Sequence, residues 1–301
     1  MTTATDRLLR RLEWQVVRRL EGRLQGSFRT VWHGAGIDFA DVRAYTAEDD
    51  VRHIDWNVTA RLDEPFVRQY TEDRDLTAWL VVDRSASMRF AATEHGKDSV
   101  GNELAVCLAR LLAHRGNRVG AILYDNDQHR VIPPRTGRNQ LLRIVHELAA
   151  APGPRERSKR QQYGTTTDLA GMLRLAATTA RRRGLVFVLS DFIGNPGWDR
   201  ALAMLAHRHE VVAVRVVDPV ELELPDLGLV TVEDAETGEQ VLVDTSDPLL
   251  RGRLAAEVEA REDELTGAMR RAGVVTHRVS TDQDLAQALI DMVRRSRRRP
   301  R

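Results

Sequence analysis

Lysine is almost missing from this sequence: Lys97 and Lys159 are the only two among 45 basic residues. The others are arginines, whose planar fork favours paired carboxylates, so ion-pair networks are expected. Cysteine is nearly missing too. Cys107 stands alone, which excludes an intramolecular disulfide and any multi-cysteine zinc site. It lies in the apolar run Leu104–Leu112 and reads as a buried small hydrophobe in a reducing, cytoplasmic setting. No apolar run approaches transmembrane length; the most apolar, Ala78–Val82 and Leu185–Leu189, are strand-length. The opening MTTATDRLLRRLEW lacks the apolar core of a signal peptide. Neither sign of charge prevails: 45 basic and 44 acidic residues leave a net +1, so no global field draws in nucleic acid. There is no P-loop, no G-x-S-x-G elbow and no dinucleotide fingerprint. His207 and His209, two apart, do not share a helical face and make a poor zinc pair.

What is present is a 301-residue chain, 42% hydrophobic and 30% charged. That length can bury a sizeable core without staples. Residues 7–25 read as an amphipathic helix, with Leu8, Leu9, Leu12, Val16, Leu20 and Leu24 at helical spacing. Residues 28–75 show weak periodicity, with a strand expected at Phe66–Tyr70. From residue 77 strands and helices alternate. Strands are expected at Thr77–Val82, Arg118–Tyr124, His129–Ile132, Leu185–Leu189, Glu210–Val217 and Val274–Val279. Helices are expected at Ser99–Ala113, Asn139–Ala150, Asp168–Arg182 (closed by Gly184), Trp198–His207, Leu250–Arg271 and Leu285–Arg294. Leu229–Glu233 and Gln240–Val243 read as a hairpin, and RRSRRRPR as a frayed basic tail. The alternation predicts an α/β fold, a mainly parallel sheet with helices on both faces. The organisation expected is an N-terminal segment, 1–75, and a main domain, 76–301, with a hairpin insertion near 229–243.

Three loops carry hard oxygens. Strand TAWLVVD ends in Asp83, Ser85 and Ser87, spaced D-x-S-x-S on a single turn. Thr165, Thr166, Thr167 and Asp168 precede a helix. Ser190 and Asp191 end another buried strand. Ligands in an open α/β sheet lie beyond the carboxyl ends of strands. Carboxylates and hydroxyls gathered there suit magnesium, manganese or calcium. The plainer reading has Asp83 capping its turn while the serines satisfy backbone donors.

This ordered set resembles the metal-ion-dependent adhesion site of von Willebrand factor A domains. The resemblance implies a metal held by Asp83, Ser85, Ser87, Thr167 and Asp191, its shell completed by a partner's carboxylate. Thr165 and Thr166 stand as alternatives to Thr167. The family often has Thr-Asp-Gly where this chain has Ser190-Asp191-Phe192, and Arg84 brings positive charge into the motif. Upstream, residues 34–61 read G-x-G-x-D-F-x-D-V-R-x-Y-x-x-E-D-D-x-R-x-I-D-W-x-x-T-A-R. This is similar to the signature of the bacterial "domain of unknown function 58" proteins, with Glu48 where glycine is usual. Its arginines and acids read either as a structural ion-pair network or as a recognition surface. Proteins of that family often have genes beside MoxR-type AAA+ ATPases. The resemblance therefore implies a non-enzymatic, metal-dependent protein-interaction module, an adaptor or co-chaperone of such an ATPase. A phosphatase-like hydrolase and a scaffold with an empty site are the alternatives.

Overall fold

The computed structural model describes residues 38–46, 49–62, 64–71, 76–89, 96–113, 116–125, 128–150, 167–233 and 240–297. The expected helix at 7–25, Thr165, Thr166 and Glu48 lie outside them. Two compact units are distinguished, Trp32–Leu76 and a larger one that carries Thr77–Arg301.

In the smaller unit, β1 (Asp38–Ala44) pairs antiparallel with β2 (Phe66–Thr71), and helix α1 (Trp56–Leu62) lies between them in sequence. Part of the polar signature makes local contacts here. The Arg43 guanidinium forks onto Asp49 at 2.7 and 2.5 Å. Asp49 also accepts from the amide and hydroxyl of Thr46, and these bonds hold its carboxyl well below the usual carboxylate range. Asp55 accepts from the amides of Asn57 and Val58, capping α1. Thr59 accepts from the Phe66 amide.

The larger unit begins with β3 (Thr77–Asp83), followed by α2 (Lys97–Ala113), β4 (Arg118–Tyr124), β5 (His129–Arg135) and α3 (Arg138–Ala149). Next come α4 (Leu169–Thr179), β6 (Leu185–Ser190), α5 (Trp198–Arg208), β7 (Glu210–Val217) and the short α6 (Pro219–Leu222). The hairpin β8 (Leu229–Glu233) and β9 (Gln240–Asp244) leads into α7 (Pro248–Arg271), β10 (Val275–Ser280) and α8 (Leu285–Arg297). The sheet runs β10-β7-β6-β3-β4-β5, with only the β4–β5 pair antiparallel. This is the mainly parallel α/β arrangement expected, wound in both directions from β3. The winding starts at β3, goes out through β4 and β5, then returns to β6 on the other side of β3. The carboxyl ends of β3 and β6 therefore flank the switch point, where such sheets open a crevice. Both strands are buried almost throughout, which their continuous apolar runs dictate. Among the described residues, no helix is long and apolar enough to cross a membrane.

The largest boundary differences from expectation, at three elements, have physical reasons. β5 runs on through Pro133 and Pro134, because it is an antiparallel edge strand whose register shifts opposite Val119–Ala121. Gln140 fills that irregularity, donating to the carbonyls of Val119 and Pro133 at 2.8 and 2.9 Å. Helix α4 ends before Ala180, so Gly184 does not stop it. A Cβ on Gly184 would sit 2.3 Å from the Thr77 carbonyl, so glycine is needed there for close approach to β3. Helix α8 extends to Arg297 and takes up half of the expected tail, in keeping with arginine's good helix propensity.

Candidate functional site

The end of β3 is fixed by its backbone. The Arg84 amide donates to the Tyr124 carbonyl at 2.7 Å, and the Arg89 guanidinium holds the Arg84 carbonyl at 3.2 Å and Asp125 at 2.8 Å. The turn between carries Asp83, Ser85 and Ser87, all buried. Asp83 Oδ1 accepts from the Ser85 amide at 2.9 Å, and Oδ2 accepts from the Ser190 hydroxyl at 2.6 Å. The second bond joins the ends of β3 and β6. Asp83 does cap its own turn, as the plainer reading has it, but that uses only one of its oxygens. Ser85 Oγ and Ser87 Oγ lie 3.1 Å apart.

Asp191, wholly buried, follows Ser190. Its Oδ1 accepts from the Ile193 amide at 3.0 Å, and its Oδ2 takes the Lys97 ammonium at 2.8 Å. Burial and the nearby Asp191 charge push the Asp83 carboxyl up to about 6, against the lowering effect of Ser190 and Ser85. The loop then turns through Phe192 at φ 58°, the only described non-glycine residue with positive φ. This is the left-handed conformation that glycine adopts freely. Holding a phenylalanine there costs on the order of 1–2 kcal/mol. Burial of the ring against Trp198, with centroids 5.5 Å apart, offsets it.

Thr167 is buried and is joined to the same loop through its backbone, its carbonyl accepting from the Asn195 amide at 3.1 Å. Gly194 makes that approach possible, since a Cβ there would lie 2.6 Å from the Thr167 carbonyl. The neighbouring Asp168 caps α4 through the Gly171 amide. Arg84 turns away from the site. It donates to the carbonyls of Glu147 and Ala150 at the end of α3, where a cation suits the helix dipole. The positive charge on the site comes from Lys97, which sequence reading missed.

The donor set fits a hard divalent ion. Two hydroxyls 3.1 Å apart match adjacent corners of an octahedron with metal–oxygen distances of about 2.1 Å. Among the described residues, no group of three or more His, Cys, Asp or Glu side chains is placed to hold a metal. A cation at this site would therefore rest on Ser85, Ser87 and Thr167, with Asp83 and Asp191 around them.

The family described as "Protein of unknown function DUF58" matches residues 41–264. "Uncharacterized protein Rv1480" of Mycobacterium tuberculosis is 37% identical over 293 residues, 96% of this chain and 89% of that protein. "Uncharacterized protein MAV169" of Mycobacterium avium is 34% identical over 167 residues, 56% of this chain and 94% of that protein. Among solved structures, the "conserved hypothetical protein BatB" from Bacteroides thetaiotaomicron superposes with a TM-score of 0.45 at 15% identity, covering 74% of this chain and all of that one. The "von Willebrand factor type A" structure from Catenulispora acidiphila gives 0.36 at 13% identity, covering 75% of this chain and 43% of that one.

Proposed function

This chain belongs to the DUF58 family, and we propose that it is a cytoplasmic protein-interaction module, an adaptor or co-chaperone of a MoxR-type AAA+ ATPase, that grips a partner carboxylate through a divalent cation. One observation carries this reading. At the switch point of the sheet, the neighbouring hydroxyls of Ser85 and Ser87 lie on the turn that Asp83 caps, and the Ser190 hydroxyl ties Asp83 to the strand end that leads into buried Asp191. Ser85, Ser87 and Thr167 would bind the ion through neutral oxygens, while Asp83 and Asp191 would supply charge around it. A bound magnesium ion, or manganese or calcium in its place, supplies the Lewis acidity that an incoming Asp or Glu completes. Asp83 and Asp191 are contacted by hydroxyls, backbone amides and an ammonium. The test is retention of a purified MoxR-type ATPase on the immobilised chain. Retention is expected in magnesium and loss in chelator; equal retention in both would overturn the reading.

The site also sets a pH dependence. The Asp83 carboxyl is raised from about 3.9 in an unfolded chain to about 6. Folding therefore favours its protonated form. That contribution is full below pH about 4 and is lost as pH rises through about 6. A cation favours the ionised form and competes with the proton. Magnesium is thus expected to raise the melting temperature more at pH 7.5 than at pH 5. An equal shift at both would show that Asp83 does not face the ion.

A further inference from the structure

Lys97 is the first residue of α2 and is wholly buried. That end of a helix is electrically positive, which disfavours a cation. An ammonium is also costly to bury unless it is paired and hydrogen-bonded. Here it meets two carboxylates, Asp191 Oδ2 at 2.8 Å and Glu221 Oε1 at 2.5 Å. Glu221 is itself anchored. Its other oxygen accepts from the Asp218 amide, closing the capping box of α6. Asp218 in turn accepts from the Val220 amide and the Thr281 hydroxyl. The lysine therefore clamps the Asp191 loop to the turn that follows β7.

We propose that Lys97 is the resident cation of this site, neutralising Asp191 so that a divalent ion bound alongside keeps positive charge to spend on an anionic partner. The inference rests on the metal-dependent reading above. Lys97 offsets one of the negative charges that Asp83, Asp191, Asp218 and Glu221 gather here; without it, those carboxylates would draw more of the ion's charge and leave less for an incoming carboxylate. The other buried cation nearby, Arg215, donates to the Asp191 backbone carbonyl and pairs with Glu262, so it adds no net charge. Lys97 is a positioning residue that acts through Asp191 and sets the balance between holding the ion and holding the partner.

Manganese binding followed by electron paramagnetic resonance tests this, with acetate as the carboxylate probe. Lys97→Met is expected to bind manganese at least about tenfold tighter than wild type, the effect of one unit charge a few ångströms away. The manganese-loaded variant is expected to hold acetate more weakly. A merely structural lysine would change the melting temperature and leave both affinities alone, and that result would overturn the inference. Should Lys97→Met not fold, Glu221→Gln carries the test, because it leaves the ammonium to Asp191 alone. Manganese binding weaker by several-fold is then expected, and unchanged binding overturns the inference. If wild type takes up no manganese but Lys97→Met does, the metal-dependent reading and the inference both fail for the natural chain, because Lys97 then takes the ion's place and does not sit beside it. If neither binds, both fail.

Discussion

Asp83→Ala is expected to abolish the stabilisation that magnesium gives the wild-type chain while leaving the metal-free fold close to its original stability. At one hundred times its dissociation constant, an ion adds about 2.7 kcal/mol to a protein that binds it only when folded. The variant should show none of this. Its metal-free stability should change little because two effects oppose each other. The substitution leaves the Ser190 hydroxyl and the Ser85 amide without their acceptor, at a cost of about 1 kcal/mol each. It also removes a buried carboxylate that lies under the charge of Asp191. Thermal unfolding with and without magnesium reads both. A turn cap with no metal role would lose the same stability in either buffer. Retention of a MoxR-type ATPase should vanish in the same variant.

Gly194→Ala is expected to damage fold and site together. Its Cβ would meet the Thr167 carbonyl at 2.6 Å and the Leu169 side chain at 3.0 and 3.1 Å. A backbone carbonyl and a fully buried leucine have little freedom to yield. The loop holding Thr167 and the loop holding Asp191 must then part, breaking the bond from the Asn195 amide. Overpacking of this kind costs about 1–3 kcal/mol, and manganese affinity should fall by about tenfold or more as the ligands separate. Gly252→Ala on α7 is the control, since nothing lies within 4 Å of its added Cβ. It should stabilise by about 0.5–1 kcal/mol. Intact manganese binding in Gly194→Ala would place Thr167 outside the site.

The sheet was legible because its central strands, such as TAWLVVD and LVFVLS, are apolar runs that only a sheet covered on both faces can bury. The trio Asp83, Ser85 and Ser87 and the distant Asp191 were legible because each ends a buried strand. Strand ends that become neighbours in a doubly wound sheet bring their residues together. Three features were not legible. Arg84 could point into the site or away from it, and only the position of the α3 carbonyls decides. Phe192 hides a left-handed backbone, because phenylalanine carries no signal of positive φ. Lys97 shared one sequence clue, its rarity. In a chain that uses arginine almost everywhere, a lysine opening an apolar helix is an anomaly of residue type. Its partners Asp191 and Glu221 lie 94 and 124 residues away, and only the fold joins them.

The most direct measurement is a manganese titration of wild type and Ser85→Ala, followed by electron paramagnetic resonance. The account expects one ion per wild-type chain, displaced by magnesium, and an affinity lower by about tenfold or more in Ser85→Ala, which loses a hydroxyl ligand. No uptake by the wild type, or uptake unaltered by Ser85→Ala, would contradict it.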